Sequence, residues 1–343
     1  MNPKSKFQLF AVPLVLVLAA LALPFLAPTY YVQFAAKILL MGMLAMALNL
    51  VVGFGGMVSL CHAAFFGLAG YVLALASPEG QAASVWLTLP LAMIVCGLVA
   101  FVIGLLSLRT RGIYFIMVTL AFGEMLFYLF HDTKIGGGSD GLYIYFKPEI
   151  AIAGFALLDL DNSRTFYFVA LGCVLLTILL LRILINSPFG HALAAACDNE
   201  RRTRSLGFPV LNVRLVAFVI SGILAGIAGY FSAAQFGFVA PQLLGWHLSA
   251  TILVMVVLGG TGTVTGPLIG ALVIIGLEEG LKSSTEHWKL IYGLIVIFIV
   301  LAMPGGVQQL SSMVFGRRQG TRPVADLGVW KGARSMQGEL GHA

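Results

Sequence analysis

The sequence predicts an all-α, polytopic integral membrane protein of about 8–10 transmembrane helices, with some segments broken at glycine or re-entrant. Three observations carry this reading. Of 343 residues, 59% are hydrophobic and only 10% charged, and mean hydropathy is +0.98; a soluble domain carries charge at about a quarter of its positions. Several apolar runs reach the roughly 20 residues that a spanning helix needs, without the period-2 alternation of a membrane barrel. The Lys and Arg residues gather in every second connecting segment, as the positive-inside rule expects.

The elements follow in order. Lys4 and Lys6 precede an apolar run at 8–27, which reads as an uncleaved first helix because no polar release region follows Ala20-Leu21-Ala22. Further spans are expected at 31–52, 58–76, 85–107, 113–131, 166–186 and 214–235, then a glycine-interrupted pair at 247–260 and 264–277, then a last span at 289–310. With the N-terminus in the cytoplasm, most of the 20 Lys and Arg fall inside: Lys4, Lys6, Arg109, Arg111, the group from Arg182 to Arg214 and the group from Arg317 to Arg334. If 247–277 were one span, Arg317 and Arg318 would end outside. Two limbs broken at Gly259-Gly260-Thr261-Gly262, or a re-entrant hairpin, keep them inside. Residues 1–315 therefore read as one transmembrane domain, with an external loop at 132–165 and a cytoplasmic loop at 187–213. Residues 316–343 read as a flexible, basic cytoplasmic tail.

Composition also excludes functions. The pI near 9.2 does not indicate nucleic acid, because the basic residues are scattered between hydrophobic spans. Cys61, Cys96, Cys173 and Cys197 show no CxxC spacing, so neither a disulfide framework nor a metal site is expected. No GxxxxGK[ST] occurs, so the chain cannot by itself supply a P-loop ATPase site. No cofactor and no catalytic residue is expected. Gly137-Gly138-Ser139-Asp140-Gly141 matches the letters of a nucleophile elbow, but it follows a membrane helix rather than a strand and reads as an outward turn.

Four residues are candidates for a substrate path: Asn49, Ser59, His62 and Glu124. In Asn49 to Tyr71, Gly53, Gly55 and Gly56 interrupt an apolar stretch, and Ser59 and His62 follow one helical turn apart. Broken helices in transporters place helix ends near the substrate; a tight turn between two spans fits the same residues. Glu124 lies inside a span, where an ionisable group costs about 2.5–3.5 kcal/mol on insertion scales, so it should face the bundle interior or water. It could meet a substrate ammonium, relay protons, or pair with a hydroxyl such as Thr119. Gly222 and Gly226, and Gly262, Gly266 and Gly270, repeat at every fourth residue and are expected to be helix-packing contacts.

The cytoplasmic loop begins with Ser187-Pro188, an N-cap followed by Pro at N1, and is expected to form one helix through His191 and Leu193 to Arg204, ended by Gly207 and Pro209. A short helix of mixed charge between spans suits docking onto a cytoplasmic partner, and equally suits a solvated positive-inside loop. On residues alone, an ATP-independent secondary transporter or channel remains an alternative.

NLVVGFGGMVSLCHAAFFGLAGY, GIYFIMVTLAFGEM, GGGSDGL, SPFGHALAAACDNERRTRSLGFPV and VVLGGTGTVTGPLIGA occur in that order. Together they resemble the LivM-type permeases of branched-chain amino acid ABC importers over about residues 30–310. The resemblance implies a multi-pass subunit of the bacterial inner membrane, with lipid around it and both termini cytoplasmic. It implies a second, LivH-type permease, two cytoplasmic ABC ATPase subunits and a periplasmic substrate-binding protein as partners. It implies that Gly190, Asp198, Asn199, Glu200 and Arg201 belong to a coupling helix seated on an ATPase. Importers of urea, amides and aromatic acids share the pattern, so the solute does not follow from it.

Overall fold

The computed structural model describes residues 21–302, except 26, 79–81, 153–154, 159 and 284–286. Most of the expected first span and all of the expected tail at 316–343 lie outside the described residues.

Helix α1 (Thr29–Asn49) runs into a π turn (Leu50–Phe54) and is followed by α2 (His62–Ala76), α3 (Val85–Ser107) and α4 (Ile113–Asp132). After the expected external loop come α5 (Ser163–Asn186), α6 (Pro188–Asp198), α7 (Glu200–Ser205), α8 (Val210–Phe236), α9 (Trp246–Gly259), α10 (Gly266–Lys282) and α11 (Trp288–Ala302). Among the described residues, 5 helical stretches are long and apolar enough to cross a membrane: Thr29–Phe54, α3, α4, α5 and α8. α2 and α9 have 15 and 14 residues, short of the roughly 20 that span a hydrocarbon core. The chain is an all-α membrane bundle with broken segments, as its hydropathy predicts. The expected span at 58–76 starts late, at His62, because Met57–Cys61 is not helical.

Helix α8 packs against α2 and α3 at the centre of the bundle. A Cβ on Gly222 would lie 2.6 Å from Ala100 Cβ, one on Gly226 2.7 Å from Cys96 Sγ, and one on Gly229 1.9 Å from the Phe66 carbonyl oxygen. These glycines let the backbones meet, since lipid supplies no hydrophobic drive between helices and close van der Waals packing must hold them. On the far sides of α3, α4 and α5, Leu98, Met125 and Ile183 are 60%, 64% and 64% exposed. In a chain of this hydropathy such faces meet lipid or another membrane subunit.

The expected external loop contains short strands as well as turns. β1 (Leu142–Tyr143) pairs antiparallel with β4 (Phe238–Val239), β2 (Ile150–Ile152) pairs with β3 (Phe155–Leu158), and Ser84 bridges Glu149. These pairings gather three connections at one end of the bundle. The turn at 108–112 and the arginine-rich segment at 188–209 lie at the other.

That segment departs from the single helix expected over Ser187 to Arg204. Ser187 caps it as expected, its Oγ accepting from Gly190 N at 3.4 Å. The helix then breaks at Asn199, whose φ of −153° and ψ of 98° are extended. Asn199 Oδ1 accepts from Arg202 N at 3.0 Å and so caps a second, six-residue helix, α7. Asn competes for backbone donors and favours caps over helix interiors, which is the physical reason for the break.

Candidate functional site

A helix start leaves backbone N–H groups that need acceptors, and those of α2 and α9 find some of theirs on other helices. For α2, Leu60 N donates to Thr119 Oγ1 at 3.3 Å, Cys61 N to Ser59 Oγ at 3.5 Å, and Ala63 N to Ser249 Oγ at 3.1 Å. For α9, Trp246 N donates to a Glu124 carboxylate oxygen at 3.1 Å. Glu124 stands twelfth in α4, so its charge meets the positive end of the α9 dipole within a span. Of the roles open to Glu124, a bond to Thr119 is not formed, since that hydroxyl serves Leu60 and the Ile116 carbonyl.

Ser59 and His62 do not share a helical turn, because Ser59 precedes α2. Both are fully buried. Ser221 Oγ donates its proton to the Ala47 carbonyl, so at 2.7 Å His62 Nε2 must donate to Ser221 Oγ. His62 Nδ1 is then an acceptor, buried and without a partner among the described residues. The ring sits edge-on to Phe65 and Phe218, with centroids 5.7 and 5.8 Å away.

Asn49 clamps the turn between α9 and α10. Its Nδ2 donates to the Thr263 carbonyl at 2.7 Å, and its Oδ1 accepts from Gly262 N at 3.2 Å. The turn comes so close that a Cβ on Gly53 would lie 2.2 Å from Asn49 Oδ1 and 2.4 Å from Gly262 N. The π turn widens α1 here, and such turns recur where a helix must make room. Gly262 is therefore a turn residue, with φ of +77°, and not the helix-packing glycine that its spacing predicted. Gly270 does lie at a helix contact, where a Cβ would be 2.0 Å from Met255 O, and a Cβ on Gly259 would be 2.1 Å from Gly266 O.

At the arginine-rich end, Glu200 is a hub. Its Oε1 takes Arg111 at 2.8 Å and Arg204 at 2.7 Å, and its Oε2 takes Arg214 at 3.0 Å. Arg214 also donates to the Ala196 carbonyl at 3.1 Å. One carboxylate thus ties α7 to the α3–α4 turn and to the start of α8. Gly190 is buried at the α5–α6 junction, where a Cβ would lie 2.3 Å from Ile185 O. Asp198, Asn199 and Arg201 lie on the exposed side.

Beside this hub is a cavity of about 160 Å³, lined by Arg111, Glu200 and Arg214 and by the non-helical Gly56–Val58. Asn49, Ser59, His62 and Glu124 are not among its lining residues. They are placed as clamps and caps around the broken helices. Arg111, Arg214, Thr119, Ser221 and Ser249 complete these arrangements, and their sequence context distinguishes none of them from ordinary loop arginines and helix hydroxyls.

Comparison with known proteins adds a second line of argument. The family described as branched-chain amino acid transport system / permease component matches residues 30–300. The high-affinity branched-chain amino acid transport system permease proteins LivM of Salmonella typhimurium and Escherichia coli are each 31% identical over 321 residues, covering 88% of this chain and 75% of theirs. The LivH permease protein of Escherichia coli is 32% identical over 136 residues, 38% of this chain and 44% of its own. No solved structure matches the chain significantly.

Proposed function

The chain belongs to the branched-chain amino acid transport system / permease component family, and from that premise we propose that it is a transmembrane subunit of an ATP-driven importer. The solutes are branched-chain amino acids or related small amino-acid or amide compounds. The subunit carries no chemistry itself. It sits in the bacterial inner membrane with both termini cytoplasmic. A second, LivH-type permease completes the pathway, two ABC ATPases bind at the cytoplasmic face, and a periplasmic binding protein delivers solute.

The observation that carries this reading is the Glu200 hub. The α6–α7 unit stands outside the spanning helices, exposes Asp198, Asn199 and Arg201, and is bound through Glu200 to two different parts of the bundle. A push on its exposed side would reach Arg111 in the α3–α4 turn and Arg214 at the base of α8. Helix α8 lies against α2, so the push would continue to the non-helical segment before His62. Rigid elements that contact one another transmit such movements; flexible loops do not.

In the reconstituted complex, replacing Asn199 by Ala and Glu200 by Gln together should lower both uptake and substrate-stimulated ATP hydrolysis, with membrane insertion intact. Undiminished transport by that double variant would contradict the coupling role. Uptake that persists in vesicles holding an ion gradient but no ATP would reassign the chain to secondary transport.

A further inference from the structure

The cavity beside Glu200 has the chemistry of a site for a small dipolar solute. One wall is charged and carries both signs: Glu200 on one side, Arg111 and Arg214 on the other. The rest of the lining is mostly hydrocarbon, from Met57, Val58, Phe115 and Ile116, with Thr110 as a further polar side chain. Arg214 spends two of its nitrogens on Glu200 and Ala196, yet its Nε is buried and has no partner among the described residues. A buried donor without an acceptor is costly, so this position favours a ligand that brings an oxygen. The volume, about 160 Å³, corresponds to about five waters at ~30 Å³ each, which is room for a small metabolite.

We propose that this cavity is a transit site for an aliphatic amino acid at the inner mouth of the pathway. The solute carboxylate accepts from Arg214 Nε and the outer face of Arg111, its ammonium meets Glu200, and its side chain lies against Val58 and Phe115. A solute with both charges can slip between Glu200 and its arginines, replacing each ion pair that it interrupts. A solute with one charge leaves the other partner unpaired in a half-enclosed site. Competition from the existing Arg–Glu pairs keeps the affinity low, which suits a station that solute must leave. Gly56 to Val58 belong to the non-helical stretch before α2, so the site also joins the broken helix to the proposed coupling unit. The inference rests on the transport reading for the direction of passage, though not for the binding chemistry.

Thiol protection tests it. Val58→Cys on one wall and Ile116→Cys on another are made in the full chain with its partners. Their labelling by a small maleimide is measured against the unsubstituted chain, so either position can report if the other variant fails to assemble. Leucine at about ten times its dissociation constant should slow labelling about tenfold, because only the empty fraction reacts. Leucinamide, which lacks the carboxylate, and isocaproate, which lacks the ammonium, should protect far less at the same concentration. Cells that take up leucine through the wild-type chain, yet show no protection at either cysteine, would overturn the site and leave the transport reading standing. Equal protection by all three compounds would also overturn it. Failure of the wild-type chain and its partners to take up any aliphatic amino acid would overturn the transit role, and failure to take up any small amino-acid or amide solute would remove the transport reading as well.

Discussion

Two polar regions of this molecule use similar bonds under opposite conditions. Around the start of α2 and the turn after α9, the partners are neutral, and Asn49, Ser59, His62 and Ser249 are 0–1% exposed. At the arginine-rich end, Glu200 is 18% exposed and two of its arginines, Arg111 and Arg204, are 69% and 58% exposed. In the first region water cannot replace a lost partner, so each bond is costly to break. In the second, water and salt compete, and the charges contribute position more than stability. The fold is secured where the polar groups are dry, and movement is available where they are wet.

The largest test of that contrast is Asn49→Leu. It strands the Thr263 carbonyl and the Gly262 N–H, and should cost about 2–6 kcal/mol at about 1–3 per orphaned group. Thermal unfolding followed by tryptophan fluorescence would read this as a clear fall in midpoint; an unchanged midpoint would show that the turn is not held by this clamp. Next, Glu200→Gln leaves Arg214, whose side chain is only 17% exposed, without its counter-charge. A stability loss of about 1–2 kcal/mol is expected, together with a larger proportional loss of uptake, measured with radiolabelled solute. If stability falls and transport does not, the hub is a staple and no transmission element.

Smaller still is Glu124→Gln, which keeps an acceptor for Trp246 N but removes the charge facing the α9 dipole. It should cost about 0.3–1 kcal/mol and leave the uptake KM unchanged. A raised KM would put Glu124 in the solute path and erase the distinction between cap and channel. The smallest effect belongs to Arg204→Gln. This exposed i,i+4 pair should contribute no more than about 0.5 kcal/mol, and that little should vanish at high salt. A salt-independent loss would mean that the arginine-rich end is drier than its exposure indicates.

Much of this architecture was legible from composition. The spans at 85–107, 113–131 and 214–235 agree with α3, α4 and α8 to within a few residues, because hydropathy and length are properties of a segment by itself. The Ser187 cap and the packing roles of Gly222 and Gly226 were legible for the same reason: each is a local pattern with a local cause. Gly262 misled, since a spacing of four residues describes a helix face only if the helix is there, and φ of +77° shows a turn. The break at Asn199 was masked by helix-forming neighbours on both sides.

The sequence by itself determined that this chain enters the membrane, roughly where it crosses, and which stretch of arginines stays outside the lipid, because transfer from water to hydrocarbon acts on each segment independently. Only the tertiary structure decided that Thr119, Ser249 and Glu124 finish helices they do not belong to, that Asn49 holds a turn more than 200 positions away, and that Arg111, Arg204 and Arg214 converge on one carboxylate. Those pairings exist because buried polar groups must find partners wherever packing brings them, and nothing in the spacing of residues along the chain records which partner that will be.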